Sequence, residues 1–287
     1  MSQDLLPGGG TGKLGFGMAD KDKTYIHLTS HAHEQSWKTE VIAESSSWIC
    51  FNKHTHLGTE YDHYHQDRPH MTGIVENDLT REAGWIKERG ITWLAPVNTL
   101  DFETTGACLW AKNEVAAEKL KNVFHSEQPN RIYQALIHGC PEEDVFEIDL
   151  KLAPRPFQQW LMKADKTGKK SVTQCETIER LKAYTLLQCK PVTERHHQVR
   201  AHLACRKHPV VADASYGGDV LMLSELKRNY RFKKDRPEKP LLDRAAIHLE
   251  QLQFPDPDTG EEICLKAPMH RDWEVAFKYL KQYAVVH

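Results

Sequence analysis

The sequence has no run approaching eighteen apolar residues, so no segment reads as a membrane-crossing helix. Its seven cysteines, from Cys50 to Cys264, are widely spaced and form no C-x-x-C pair. Neither a zinc ribbon nor a disulfide framework is indicated, and a reducing cytoplasm is the expected compartment. There is no Walker motif, no Rossmann unit and no H-E-x-x-H helix, which leaves phosphate-loop, dinucleotide and zincin chemistry without support. The amino terminus from Met1 to Lys13 lacks the apolar stretch of a secretory signal, and Pro7-Gly8-Gly9-Gly10 reads as a disordered leader. A net charge of -2 is not the basic balance that nucleic-acid-binding domains often carry.

What is present can build a core: 40% of the 287 residues are hydrophobic. Trp48-Ile49-Cys50-Phe51-Asn52 is a buried-strand candidate. Residues 131–137, 145–150, 171–177, 184–189, 246–254 and 263–265 are further strand candidates, with Gly, Pro or charged breaks between them. Helices are predicted over 80–88, stopped by Gly90, over 114–124, and over 271–283 with Trp273, Val275, Phe277 and Leu280 as apolar positions. Thr193 is the predicted cap of another helix that carries Glu194 in its first turn. Residues 14–45 read as polar and irregular. Many strands with scattered helices imply an α+β fold, a mixed and largely antiparallel β-sheet flanked by helices.

Two segments carry candidate chemistry. Asn98-Thr99-Leu100-Asp101-Phe102-Glu103-Thr104-Thr105-Gly106 places a carboxylate in a turn that runs into an apolar strand. Glu194-Arg195-His196-His197-Gln198-Val199-Arg200-Ala201-His202 places arginines on a predicted helical run about a hundred residues later. Between and beyond them lie Leu109-Trp110-Ala111-Lys112-Asn113, Arg131-Ile132-Tyr133-Gln134-Ala135, His208-Pro209-Val210-Val211-Ala212-Asp213 with Tyr216-Gly217, Ile247-His248-Leu249, and Phe254-Pro255 through Thr259-Gly260-Glu261.

In this order the blocks resemble the RluA-type pseudouridine synthases, from about Trp48 to Trp273. That family's patterns are H-R-L-D-x-x-T-S-G-L-L, K-x-Y-x-A, G-R-T-H-Q-I-R-x-H-L, H-P-I-V-G-D-x-x-Y-G and F-x-H-P-x-T-G-E. The resemblance implies a leader at 1–45, a catalytic domain at 46–287, and isomerisation of specific uridines in structured RNA, tRNA or rRNA. Asp101 takes the catalytic carboxylate's place, as nucleophile or base. Arg200 becomes its paired guanidinium through a two-pronged contact, and Tyr133 the active-site tyrosine that stacks on uracil. Thr99, Arg131, Arg195 and His197 become RNA contacts. The reaction changes no oxidation state and uses no energy source, so no cofactor and no metal are expected, and no protein partner is evident.

Three features set this chain apart from the pattern. Asn98 and Thr99 stand where the pattern has His-Arg, so flipping the uridine needs another wedge, with Phe102 or a loop histidine as candidates. Glu194 and His196 replace a glycine and a threonine. Lys227, Arg228, Arg231, Lys233, Lys234, Arg236 and Lys239, interleaved with Tyr230 and Phe232, form an apparent insertion suited to a phosphate backbone. Two other readings compete with the enzyme. One is a catalytically impaired RNA-binding relative of the same fold. The other is a metal hydrolase built on His54, His56, His63, His65 and His70, although no acidic residue at helical spacing accompanies these histidines.

Overall fold

Period-two alternation and short apolar runs set most strands, and their pairing order carries the site. The structure, a computed structural model, describes residues 24–125, 130–232 and 236–285. The glycine-rich leader, Lys233 and Lys234 lie outside those residues. A hairpin of β1 (Thr24–Ser30) and β2 (Gln35–Glu44) leads to β3 (Trp48–Lys53), α1 (Met71–Thr80) and α2 (Gly84–Glu88). Next come the two-residue β4 (Ala95–Pro96), β5 (Thr105–Ala111), α3 (Glu114–His125), β6 (Asn130–His138) and β7 (Val145–Asp149). A separate hairpin, β8 (Leu152–Arg155) and β9 (Gln158–Ala164), precedes β10 (Val172–Arg180), β11 (Tyr184–Pro191) and α4 (Gln198–Cys205). The chain continues through α5 (Leu223–Leu226), β12 (Ile247–Pro255), β13 (Glu262–Lys266) and α6 (Arg271–Tyr283).

One sheet runs β1-β2-β3-β5-β12-β6-β11-β10-β7, with β4 on β5 and β13 on β12. Among the described strands β5 and β12 pair in parallel and the other pairs are antiparallel, so the fold is the expected α+β. At that parallel pair, Leu249 lies opposite Gly106, whose φ is +117° and where a Cβ would stand 2.2 Å from the Leu249 carbonyl oxygen. Only glycine permits that approach. The strand that follows the Asp101 turn is thereby locked to the middle of the sheet.

Every residue of β5 is buried, as a strand covered on both faces should be. Two large cores flank it. One gathers Ile49, Phe51, Met71, Trp110 and Leu120, and the other Leu136, Leu187, Leu203, Trp273 and Leu280. Tyr133 on β6 packs against both, so it sits at their seam. A small third core of Leu152, Leu161, Met162, Ala201 and Tyr216 fastens the β8–β9 hairpin over α4. No described helix is long and apolar enough to cross a membrane.

Three local expectations fail, and one hairpin goes unforeseen. Residues 24–30 and 35–44 are strands of the sheet, because Ile26 and Leu28 alternate inward opposite Thr39 and Trp37. Two apolar positions in a polar stretch are too few to reveal that alternation. Of the helix expected over 80–88 only Gly84–Glu88 forms, as α2, because Thr80 is the last residue of α1. That helix starts at Met71 with His70 as its cap, the imidazole Nδ1 accepting from Gly73 N–H at 3.1 Å. The helix after β11 begins at Gln198, so Thr193 does not cap it and Glu194 is not in its first turn. The Thr193 hydroxyl instead accepts from Val172 N–H at 2.8 Å and donates to Gln198 Oε1 at 2.9 Å. The β8–β9 hairpin was hidden by Pro154 and Pro156, residues that demote a strand assignment.

Candidate active site

The turn carrying Asp101 is pinned on both sides. Asn98 lies in the interior, its amide donating to the Ala107 carbonyl at 3.1 Å and its Oδ1 accepting from Leu109 N–H at 2.7 Å. Leu100 N–H donates to the buried Thr59 hydroxyl at 2.9 Å, and Asp101 C=O accepts from Thr104 N–H at 3.1 Å. Asn98 thus extends the edge of β5 in place of a backbone partner, and Thr99 is left exposed.

From α4, Arg200 reaches this turn while fully buried. Its Nε and Nη2 fork onto Asp213 at 2.7 and 2.8 Å, and Nη1 contacts Asp101 at 3.1 Å and Glu103 at 3.0 Å. The two-pronged contact expected for Asp101 therefore belongs to Asp213, which takes the parallel Nε and Nη2 N–H groups and leaves Asp101 with Nη1 alone. Three carboxylates on one guanidinium leave the cluster with a formal excess of two negative charges. Burial opposes the charge of Arg200, but Asp213, Asp101 and Glu103 hold its pKa well above the ordinary value.

Burial would also raise the Asp101 carboxyl, yet His197, Arg200 and His196 outweigh it and hold the pKa at about 2. His197 itself is lowered to about 3 by burial, against the pull of Asp101. At neutral pH the imidazole is uncharged, so the standing cation opposite Asp101 is Arg200. The backbone at His197 is left-handed, with φ +52°. Its ring is held by the Tyr216 hydroxyl, 3.0 Å from Nδ1, with Nε2 3.8 Å from Asp101 Oδ2. Burial pushes the Tyr133 phenol well above its usual value, so it remains a proton donor. Asp101, Thr99, Tyr133, Arg195, His197 and Arg200 line one small cavity of about 160 Å³. A larger cavity of about 750 Å³ opens beside it, where Thr99, Asp101, Arg195 and His197 meet Tyr61, Tyr64 and Trp160.

The remaining candidates separate. Arg131 is buried, with Nη1 2.6 Å from Glu194 Oε2 and its guanidinium over the Phe124 ring. It does not stand open as an RNA contact; it neutralises the carboxylate that replaces a glycine of the resembled pattern. Arg236, Arg228 and Arg231 are exposed, while Lys233 and Lys234 fall outside the described residues. Phe102 is covered by the Arg68 guanidinium at 4.4 Å. In the histidine-rich loop, His65 is tied to Asp62 at 2.8 Å and His54 to the Lys38 carbonyl at 2.9 Å. The described group with metal-ligand spacing is a different one, Asp101, His196 and His197. Asp213, Glu103 and Tyr216 complete the site and were not singled out, although all three stand inside the quoted blocks.

A sequence profile of the family described as RNA pseudouridylate synthase matches residues 47–205, more than half of the 287-residue chain. The chain is 27% identical over 215 residues to an uncharacterized RNA pseudouridine synthase of Bacillus subtilis, covering 74% of this chain and 65% of that protein. It thus spans less than two thirds of that relative's length. To the dual-specificity RNA pseudouridine synthase RluA of Pasteurella multocida it is 32% identical over 178 residues, 60% of this chain and 72% of that one. The solved structure of human RNA pseudouridylate synthase domain containing 4 superposes with a TM-score of 0.62 at 18% identity, covering 84% of this chain and 92% of that one. At that identity the likeness is one of fold.

Proposed function

The chain belongs to the RNA pseudouridylate synthase family, of the RluA type, and from that premise we propose that it isomerises uridine to pseudouridine in structured RNA. The reaction breaks the C1′–N1 bond, turns the uracil and rejoins it through C5. Asp101 is the acting carboxylate, attacking ribose or uracil or taking a sugar proton. The observation that carries this reading is the ionised Asp101 at the cavity mouth, 3.1 Å from the buried Arg200 and beside the protonated Tyr133. Tyr133 stacks on the base and offers its phenol near C5. Thr99, Arg195 and His197 meet the target nucleotide, and Arg236 with Lys233 and Lys234 follows the phosphates of tRNA or rRNA in the cytoplasm.

Incubation with uridine-labelled RNA, followed by assay for pseudouridine, tests the reading. Asp101→Asn is expected to lower single-turnover rates by about 10⁴-fold while RNA affinity stays within a few-fold. Undiminished turnover in that variant would remove Asp101 from its role. A second reading, an RNA-binding relative without turnover, is favoured by one observation: Thr99 is exposed where the family pattern has an arginine. Tight RNA binding without any pseudouridine formation selects it.

A further inference from the structure

Two imidazoles lie beside the carboxylate on which that reading turns, and the reading gives one of them, His196, no contact with RNA. Ligand atoms of Asp101, His196 and His197 all lie within 4.8 Å of one another. We propose that these three side chains form a binding site for a transition-metal dication of the zinc class, and that its occupancy takes Asp101 out of reaction. Only the second half rests on the functional reading.

The geometry needs little change. Tetrahedral zinc with bonds of about 2.1 Å sets its ligand atoms about 3.4 Å apart, and His197 Nε2 is 3.8 Å from Asp101 Oδ2. The other nitrogen of His197 is already occupied by the Tyr216 hydroxyl at 3.0 Å, the arrangement that orients a ligating imidazole from behind. A left-handed backbone at His197 keeps that ring facing the carboxylate, a conformation non-glycine residues hold only where surroundings enforce it. His196 is exposed, stacks on His197 with centroids 3.8 Å apart, and has Nε2 3.1 Å from the Trp160 carbonyl. A turn of this one surface ring closes the third ligand.

Charge is the objection, since Arg200 sits 3.1 Å from the same carboxylate. The count lessens it: Asp101, Glu103 and Asp213 outnumber Arg200 and the buried Lys53 by one charge, and burial has already lowered Lys53 to about 8, so it can give up its proton to a bound dication. Two imidazoles with one carboxylate suit zinc, copper or nickel and not magnesium or calcium. The site is also particular to this chain, because His196 stands where the resembled pattern has threonine.

The test uses the full chain, stripped with EDTA and dialysed. Titration with Co²⁺ should give a saturable visible absorption band at one equivalent, displaced by Zn²⁺. His196→Thr should weaken Co²⁺ binding about tenfold or more. In RNA turnover, Zn²⁺ should inhibit the wild type and EDTA should restore it. His196→Thr in EDTA should turn over within about twofold of wild type and need about tenfold more Zn²⁺ for inhibition. No saturable cobalt band in the wild type, or equal cobalt affinity in both proteins, overturns the site. Equal zinc inhibition of both proteins overturns the link to Asp101. If no RNA is turned over, the functional reading falls and the cobalt titration still decides the metal site.

Discussion

Arg200 and Arg244 are both buried guanidiniums, and both fork onto one aspartate. Arg200 uses Asp213 at 2.7 and 2.8 Å, and Arg244 uses Asp272 at 2.8 and 3.0 Å. They differ in the third nitrogen. At Arg244 it reaches the Thr105 hydroxyl and the Ala245 carbonyl, both at 3.4 Å, and Thr105 is in turn held by His248 at 2.9 Å. Neutral groups close that cluster, with burial lowering His248 to about 4 and His270 to about 3. At Arg200 the third nitrogen meets Asp101 and Glu103, and Asp101 faces a cavity. The same fork is thus a strut in one place and a holder of cavity-facing charge in the other; the partner of the spare N–H makes the difference.

Replacing each arginine by lysine breaks this comparison most sharply. Lysine keeps the charge and loses the fork, so both variants lose stability. Only Arg200→Lys should also lose chemistry, with single-turnover rates down about 10³-fold, while Arg244→Lys stays within about threefold per folded molecule. Single-turnover assays on protein checked by near-UV circular dichroism decide this. Equal losses at both positions would mean that Arg200, too, is only a strut.

One group from each cluster should also act in its own pH window. His248, with a folded pKa of about 4 against 6.5, takes up its proton in the unfolded chain first. Its share of stability falls as pH drops from 6.5 towards 4, by roughly 3 kcal/mol. Asp101, with a folded pKa of about 2 against 3.8, contributes stability that is complete above 3.8 and lost as pH falls through 2. That share is roughly 2 kcal/mol. Urea unfolding from pH 7 to 2 should therefore show His248→Gln flattening the upper window and Asp101→Asn the lower. A flattening in the wrong window, or none, would reverse the assignment.

Much of this was legible in the sequence. The blocks around Asp101, Tyr133 and Arg200 gave the family and its fold, and seven predicted strands fall on β3, β6, β7, β10, β11, β12 and β13. Asp213 was not legible as the fork partner, because a fork between α4 and a turn thirteen residues later depends on how α4 packs on β9 to β11 and how the turn docks on β6, a tertiary fact. Glu194 looked like an unpaired negative charge on the RNA path. Its partner Arg131 lies on β6, more than sixty residues earlier, and sequence separation hides such pairs. The hairpin at β1–β2 escaped for the opposite reason, its signal being local but only two residues strong.

The forks differ once more, in how the backbone delivers the aspartate. Asp272 stands in the first turn of α6, in ordinary helical conformation. Asp213 follows Ala212, a residue with φ +58° at a position where the resembled pattern has glycine. Left-handed backbone costs a non-glycine residue about 1–2 kcal/mol, and that strain is offset within the Arg200 fork. Ala212→Gly alone would not expose it, since the substitution also loses a buried methyl and loosens the unfolded chain. Ala201→Gly, at a buried position inside α4, loses the same methyl and the same unfolded-state restraint with no left-handed strain to relieve. Ala201→Gly should therefore cost about 1–2 kcal/mol more than Ala212→Gly, read from urea midpoints at unchanged slope. Turnover of Ala212→Gly should stay within about twofold, because the fork on Asp213 keeps Arg200 in place. Equal destabilisation by the two substitutions would show that the turn before Asp213 stores no strain, and the two forks would then differ only in what their third nitrogen touches.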